Sequence, residues 1–423
     1  MALSAQSTAG EYYDVVVLHG RVMDPESGLD AVRNVGIQGG KIGRITGQTM
    51  KGRVIIDAKG LVVAPGFIDL HVHDMNDEHH RAQAMDGVTT ALELEIGTAD
   101  IDQWYAEREG KTLINYGVSI GHVPVRMVVM KDAGRFVPSG DAARRSATED
   151  ELAEIKRRIE LAGLKEPMNC IAAFEEAVAA SAITGASLHI VHITSMAFGD
   201  TPRVLEMIRE AQARGMDITT ECYPYTAGMT RLESAIFDAG WQEQLEIDYK
   251  DLQWVTTGER LTAESFDLYR KMGGMVAIHS MKPEIVKAAI ADPLTMIASD
   301  GILKDGKGHP RAAGTYSRIL GYYVRETKTL TLMDALRKIT LMPARRLERR
   351  VPMMKSKGRL RQGADADLTI FDPDRVIDKA TYAEPGKYSE GIKFVLVGGV
   401  AVVKDSQLQA GISPGRAVRA PIQ

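Results

Sequence analysis

Pro65-Gly66-Phe67-Ile68-Asp69-Leu70-His71-Val72-His73 is a Pro-Gly break followed by a short apolar run that ends in two histidines. The run Phe67 to Val72 reads as a strand, and the Pro-Gly pair marks the turn that delivers the chain into it. Side chains on a strand alternate between its faces, so His71 and His73 project the same way, one strand step apart. Two imidazoles converging from the carboxyl end of a buried strand are half of a metal site. The plainer alternative, a pair of ordinary core or surface histidines, accounts less well for the punctuation, the apolar run and the rest of the chain.

On the amino-terminal side, residues 12–64 alternate with period two and carry turn residues between runs. Tyr13 to Leu18, Val32 to Gln38, Lys41 to Ile45 and Val54 to Asp57 are expected strands, and His19-Gly20, Gly39-Gly40 and Lys59-Gly60 the turns. Beyond Pro65 the style changes. Strands are expected at 67–72, 88–96, 114–121, 186–193, 217–223 and 295–299, and helices at 78–86, 149–163, 171–184, 202–214, 284–291, 331–340 and 343–349. Buried, unalternating strands that alternate with helices call for parallel pairing, in an α/β barrel or a doubly wound sheet. The end of the chain is β again: Gly363 to Asp372 is a turn and strand, and Ile392 to Val403 is a hairpin about Gly398-Gly399. The simplest assembly is a small β-sandwich domain built from both ends, 1–64 plus 352–423, with an inserted barrel at 65–351.

A chain of 423 residues exceeds the ~100–200 of one domain, and 44% apolar with 26% charged residues is the mix of a soluble globular protein with a large core. A net charge of -4 leaves no basic footprint for nucleic acid. With only Cys170 and Cys222, no disulfide framework is expected and a reducing cytoplasm is the default. No run approaches the ~18 apolar residues of a membrane helix. Met1 to Glu11 is small and polar and reads as a loose leader without a signal-peptide core.

Four further positions make sense with His71 and His73. His192 ends the apolar run Leu188-His189-Ile190-Val191-His192, and His189, an odd step away, cannot share its face in a regular strand. His192 is the choice because barrel sites gather at the carboxyl ends of strands; His189 is expected to be packed or hydrogen-bonded inside. Asp300 follows the apolar Met296-Ile297-Ala298 and precedes Gly301, where it can touch a metal and take a proton from a water, although Asp-Gly is also an ordinary turn. In Ala91-Leu92-Glu93-Leu94-Glu95-Ile96, two carboxylates on one face of an apolar strand ask for a cation. Glu95, nearer the tip, is the expected ligand, as a bridge if two metals bind; Glu93 instead pairs with a buried basic group, or both simply face solvent. Arg311, in Gly308-His309-Pro310-Arg311, has a guanidinium fork suited to a carboxylate, with Tyr223 in Cys222-Tyr223-Pro224-Tyr225 as its helper. His279 is the third substrate-binding candidate.

Pro65 to Asp69 with His71 and His73 resembles the first barrel strand of the amidohydrolase superfamily, and Gly363 to Asp372 resembles its returning β-domain. Within it the N-acyl-D-amino-acid deacylases (D-aminoacylases) are the nearest likeness, through Gly87-Val88-Thr89-Thr90, Gly121-His122 with Arg126, Tyr223-Pro224-Tyr225, Ser299-Asp300-Gly301, His309-Pro310-Arg311 with Gly314-Thr315, Pro343-Ala344-Arg345-Arg346 and Tyr388 to Ile392. The resemblance implies a TIM-like (β/α)8 barrel, with His71, His73 and His192 as ligands of one or two Zn²⁺ ions. It implies Asp300 as the acid/base that also touches metal, and Arg311 and Tyr223 as the holders of the substrate's α-carboxylate.

Two departures stand out. The family closes its second strand with a metal-binding cysteine, where this chain has Ile96 beside Glu95. The family also supplies a histidine from its fifth strand, and here no histidine lies between His122 and His189. Two of eight barrel strands are unaccounted for. Either the sequence skips a segment near Leu164 to Met168, or the site works without that histidine.

The activity implied is hydrolysis of N-acyl-D-amino acids by a metal-activated water, with Asp300 moving the proton. The rivals are a cyclic amidohydrolase of the dihydroorotase or hydantoinase kind, a dipeptidase, and a barrel that has lost catalysis. The expected partner is a small N-acyl amino acid, not nucleic acid or membrane; a homo-oligomer stays open.

Overall fold

The computed structural model describes residues 12–134, 137–158 and 170–421. The amino-terminal strands are β1 (Tyr12–Asp24), β2 (Leu29–Gln38), β3 (Lys41–Thr46), β4 (Lys51–Asp57) and β5 (Val62–Pro65). β1 runs through His19-Gly20, which the sequence marks as a turn. Its register against β2 shifts between Val17 and Gly20, and His19 sits at φ 59°, so the turn signal is absorbed as a bulge inside one long strand.

The barrel begins at β6 (Phe67–Asp69), followed by α1 (Asp77–Met85), β7 (Val88–Thr98), α2 (Ile101–Arg108), β8 (Asn115–Ile120) and α3 (His122–Val129). Pro65-Gly66 is the passage between the two units: β5 pairs with the β-domain, and a Cβ at Gly66 would fall 2.1 Å from Thr89 Oγ1. α2 and α3 escape the sequence reading. α2 buries only Tyr105 and so carries almost no apolar periodicity; its start is fixed by the Asp100 side chain, which accepts from the Gln103 N–H at 3.0 Å.

Helices at Glu149–Arg158 and Cys170–Thr184 lead to β9 (Leu188–Ile190) and β10 (Ile218–Cys222). A small antiparallel sheet of β11 (Gly228–Arg231), β12 (Leu252–Trp254) and β13 (Met275–Ile278) follows, then β14 (Thr295–Ile297) and the hairpin β15 (Leu303–Lys304) and β16 (Lys307–Gly308). The parallel barrel strands run in the order β6-β7-β8 and β14-β10-β9. The two halves meet beyond the strand tips, where Val72 bridges Gly301 and the Asp300 N–H donates to His71 O at 2.7 Å. Among the described residues these six strands form the barrel. The outer edge of β8 pairs with the carboxyl-terminal segment, Tyr116 N–H donating to Arg416 O and Val418 N–H to Tyr116 O. The junction near Leu164 to Met168 lies outside the described residues, as does the leader.

The chain returns through β17 (Leu368–Phe371), β18 (Ile392–Val397), β19 (Val400–Lys404) and β20 (Gln407–Leu408). With the first five strands these make one continuous nine-stranded sheet, ordered β20-β19-β18-β17-β5-β1-β2-β3 with β4 on β1, in which both ends of the chain meet at the β17–β5 pair. One core packs the barrel strands Phe67, Ala91, Tyr116, Ile190, Ile218 and Ile297 against the helices, and another packs Val22, Val63, Leu368 and Leu396 of the sheet. No helix among the described residues is long and apolar enough to cross a membrane.

Candidate active site

His71 and His73 sit just past β6 with their Nε2 atoms 3.0 Å apart and their rings nearly perpendicular, at 86°. Each Nδ1 is held by a buried carboxylate. Glu221 Oε1 on β10 lies 2.5 Å from His71 Nδ1, and Glu93 Oε2 on β7 lies 2.9 Å from His73 Nδ1. Carboxylates only accept, so Nδ1 carries the proton in both rings and the Nε2 lone pairs face each other. Two lone pairs that close repel unless a cation lies between them.

Asp300 and Glu95 close the other sides. Asp300 Oδ1 is 3.2 Å from His73 Nε2 and 3.5 Å from His71 Nε2, and Glu95 Oε2 is 3.6 and 3.7 Å from the same two atoms. His192 Nε2 stands 3.9 Å from Glu95 Oε1, with its ring 5.4 Å from that of His71. His192 and Asp300 hold φ values of 29° and 49°, conformations that L side chains rarely adopt and that cluster where a side chain must be aimed. His189 turns away: its Nδ1 meets Thr219 Oγ1 at 2.8 Å and its Nε2 lies 3.5 Å from Glu221 Oε2.

The charge balance fits a cation. Burial pushes the carboxyls of Glu95, Glu221 and Asp300 upward, but the surrounding imidazoles, and Arg311 for Asp300, outweigh it and hold all three below their ordinary values. Burial likewise disfavours charge on His71 and His73, yet the same carboxylates draw protons onto both. Four buried or half-buried acids stand around three imidazoles and one guanidinium, an excess of negative charge that a divalent ion removes. His71, Glu95 and His192 form one set of donor atoms within 4.8 Å of one another, and His71, His73 and Asp300 a second. The single Nε2 lone pair of His71 is common to both, so the sets are alternative views of one ion; Glu95, with two free oxygens, is the group able to bridge to another.

Beyond Asp300 lies a nearly fully buried guanidinium. Arg311 Nη2 is 2.9 Å from Asp300 Oδ2, and its plane covers the Tyr223 ring at 4.3 Å. Nε, Nη1 and Nη2 of Arg311 and the Tyr223 hydroxyl are all buried without a hydrogen-bond partner. The Arg311 backbone N–H donates to His309 Nδ1 at 3.1 Å. His279 stands outside this group. Its Nε2 meets Gln253 Oε1 at 2.9 Å and its ring packs on Tyr382, which in turn packs on His309, so it touches the site only through that aromatic stack.

The profile of the amidohydrolase family matches residues 54–119 and 123–403, which carry every residue of this constellation. The chain belongs to the amidohydrolase family. Among its amidohydrolase relatives, the N-acyl-D-glutamate deacylase of Alcaligenes xylosoxydans xylosoxydans is 28% identical over 489 aligned positions covering 97% of each chain. The D-aminoacylase of the same organism is 28% identical, with 96% of this chain and 97% of that one covered. The crystal structure of N-acyl-D-glutamate deacylase from Bordetella bronchiseptica, complexed with zinc and a phosphonate inhibitor, shares the fold at a TM-score of 0.81 and 24% identity, covering 97% of this chain and 100% of that chain.

Glu221 is the member of the amidohydrolase site that sequence reasoning misses. Its signal was present: a carboxylate inside the strand Ile218-Thr219-Thr220-Glu221-Cys222 is as costly to bury as Glu93 or Glu95. Asp69, fully buried, is a second. It accepts from the backbone N–H groups of Ser299 and His71, tying β6 to the end of β14, and burial pushes its carboxyl up to about 6.

Proposed function

We propose that this amidohydrolase cleaves the amide bond of N-acyl-D-amino acids, releasing a carboxylate and a free D-amino acid, with zinc held by His71, His73, Glu95, His192 and Asp300. The observation that carries the reading is the unsatisfied guanidinium of Arg311 beside Asp300. A buried arginine whose three nitrogens all lack hydrogen bonds, stacked on a tyrosine whose hydroxyl also lacks one, is a binding place for a carboxylate. The relatives that bear the names N-acyl-D-glutamate deacylase and D-aminoacylase over nearly the whole chain support it.

Zinc at such a site polarises the amide carbonyl and lowers the pKa of the attacking water toward ~7. The chain's own groups do the rest. Glu221 and Glu93 fix the tautomer and aim of the two imidazoles. Asp300, an anion facing both Nε2 atoms, takes the proton from the attacking water and passes it to the departing nitrogen. Arg311 and Tyr223 hold the α-carboxylate and so set the scissile amide over Asp300, which is positioning rather than bond-making.

The test is a panel of N-acetyl-D- and N-acetyl-L-amino acids, with the matching C-terminal amides, assayed with added Zn²⁺. Hydrolysis of the D acids in preference to the L acids and to the amides is expected. Amides that lack the carboxylate but react as fast as the acids overturn the clamp, and a panel left wholly intact overturns the activity.

A further inference from the structure

A cleft of about 1070 Å³ opens beside Glu93 and Ile96, walled by α2, the end of α3 and the β15–β16 hairpin. Its charges do not balance once the internal pairs are set aside. Asp132 is consumed by four backbone N–H groups of its own loop, Glu93 by His73, and Asp74 faces Lys304 at 4.0 Å. Among the described residues no acid pairs with Lys131 or Lys307, and the remaining anion of the wall is Asp305 on the exposed hairpin tip.

Arg108 is the built part of this surface. Its guanidinium lies 3.9 Å over the Trp104 ring, Nη1 donates to Trp104 O at 3.0 Å, and Nε is buried without a hydrogen-bond partner. Its contact with Glu107 is long, 3.5 Å, to a carboxylate that is 57% exposed. Stacking fixes the plane of the fork, and a fixed, half-buried fork is suited to a carboxylate.

We propose that this cleft binds a second carboxylate of the substrate, with Arg108 and Lys131 as the specificity-determining residues, so that dicarboxylic N-acyl-D-amino acids are preferred. The proposal rests on the deacylase reading of the site. Arg311 holds one negative end of such a substrate and the cleft receives the other, from either the amino-acid side chain or the acyl group.

The experiment uses the zinc-loaded enzyme and two nearly isosteric pairs: N-acetyl-D-glutamate against N-acetyl-D-glutamine, and N-succinyl-D-alanine against N-succinamoyl-D-alanine. In at least one pair, kcat/KM is expected to favour the charged member by about tenfold or more, the worth of one charge-assisted hydrogen bond. The pair that shows the preference identifies the arm carrying the carboxylate. Arg108→Gln and the surface variant Lys131→Gln should each shrink the ratio between members, a quantity that partial loss of folded enzyme does not move. Added salt should shrink it too. Equal rates within both pairs, or a neutral preference, overturn this inference and leave the deacylase reading standing. A preference untouched by both variants overturns the assignment to Arg108 and Lys131. Failure to hydrolyse any of the four compounds overturns both.

Discussion

Glu221 Oε1 lies 2.5 Å from His71 Nδ1, and both side chains are about 1% exposed. The contact spans 150 residues of sequence and joins the first barrel strand to β10 on the far side of the closure. It does two things at once. It keeps the His71 proton on Nδ1, and it places a full negative charge behind the ring, which makes Nε2 a better donor to a metal.

Replacing Glu221 with Gln keeps the shape but removes the charge. Zinc affinity is expected to fall roughly 10–100-fold, measured by competition with a chelator, while the circular dichroism spectrum stays as in the parent. An unchanged affinity makes Glu221 a packing group and nothing more.

Asp300→Asn separates proton transfer from metal binding. Turnover is expected to drop by roughly 10²–10⁴ while most of the zinc is retained, because His71, His73, Glu95 and His192 still offer donors. The measurements are kcat on an N-acyl-D-amino acid and metal content by elemental analysis. Wild-type turnover would remove Asp300 from the acid/base role.

At Arg311, lysine keeps the charge and loses the fork. Arg311→Lys is therefore expected to raise KM for N-acyl-D-amino acids almost as much as Arg311→Ala, on the order of tenfold or more. A lysine variant with the parent KM says that charge alone suffices and that the planar contact with Tyr223 is incidental.

Lys338 gives the fold a pH dependence away from the site. Its ammonium is buried behind β14, donating to the backbone oxygens of Asp292 and Thr295, and burial lowers its pKa to about 8. Between about 8 and the unfolded value of 10.5, the unfolded chain binds this proton and the folded chain does not. Stability therefore rises with pH through that window, by up to about 1.4 kcal/mol per pH unit from this group, and the gain is lost as pH falls back through about 8. Urea unfolding at pH 8 and pH 10 should show the wild type gaining on Lys338→Met; parallel lines for the two proteins would contradict a desolvated ammonium.

Much of the site was legible because its signals are local. Period two puts His71 and His73 on one face, and the same period separates His189 from His192; the structure sends the first pair to one point and turns His189 away toward Thr219 and Glu221. Asp300 was visible as a polar residue at the end of an apolar run. His279 misled: a histidine at a strand end resembles a site residue, but its strand belongs to the small side sheet rather than to the barrel, and its ring ends on Tyr382.

By itself, then, the sequence determined which residues lie on which face of each strand, where strands give way to helices, and that both chain ends are β. These follow from the pleat and from the cost of burying polar atoms, which act over a few neighbouring residues. Only the tertiary structure decided that Glu221 serves His71, that Glu93 serves His73 while Glu95 faces the ligand space, and that Arg311 lies against Asp300 over Tyr223. Those partners come from strands that meet only when the barrel closes, and no periodicity within one strand records which residue of a distant strand will stand at the same height.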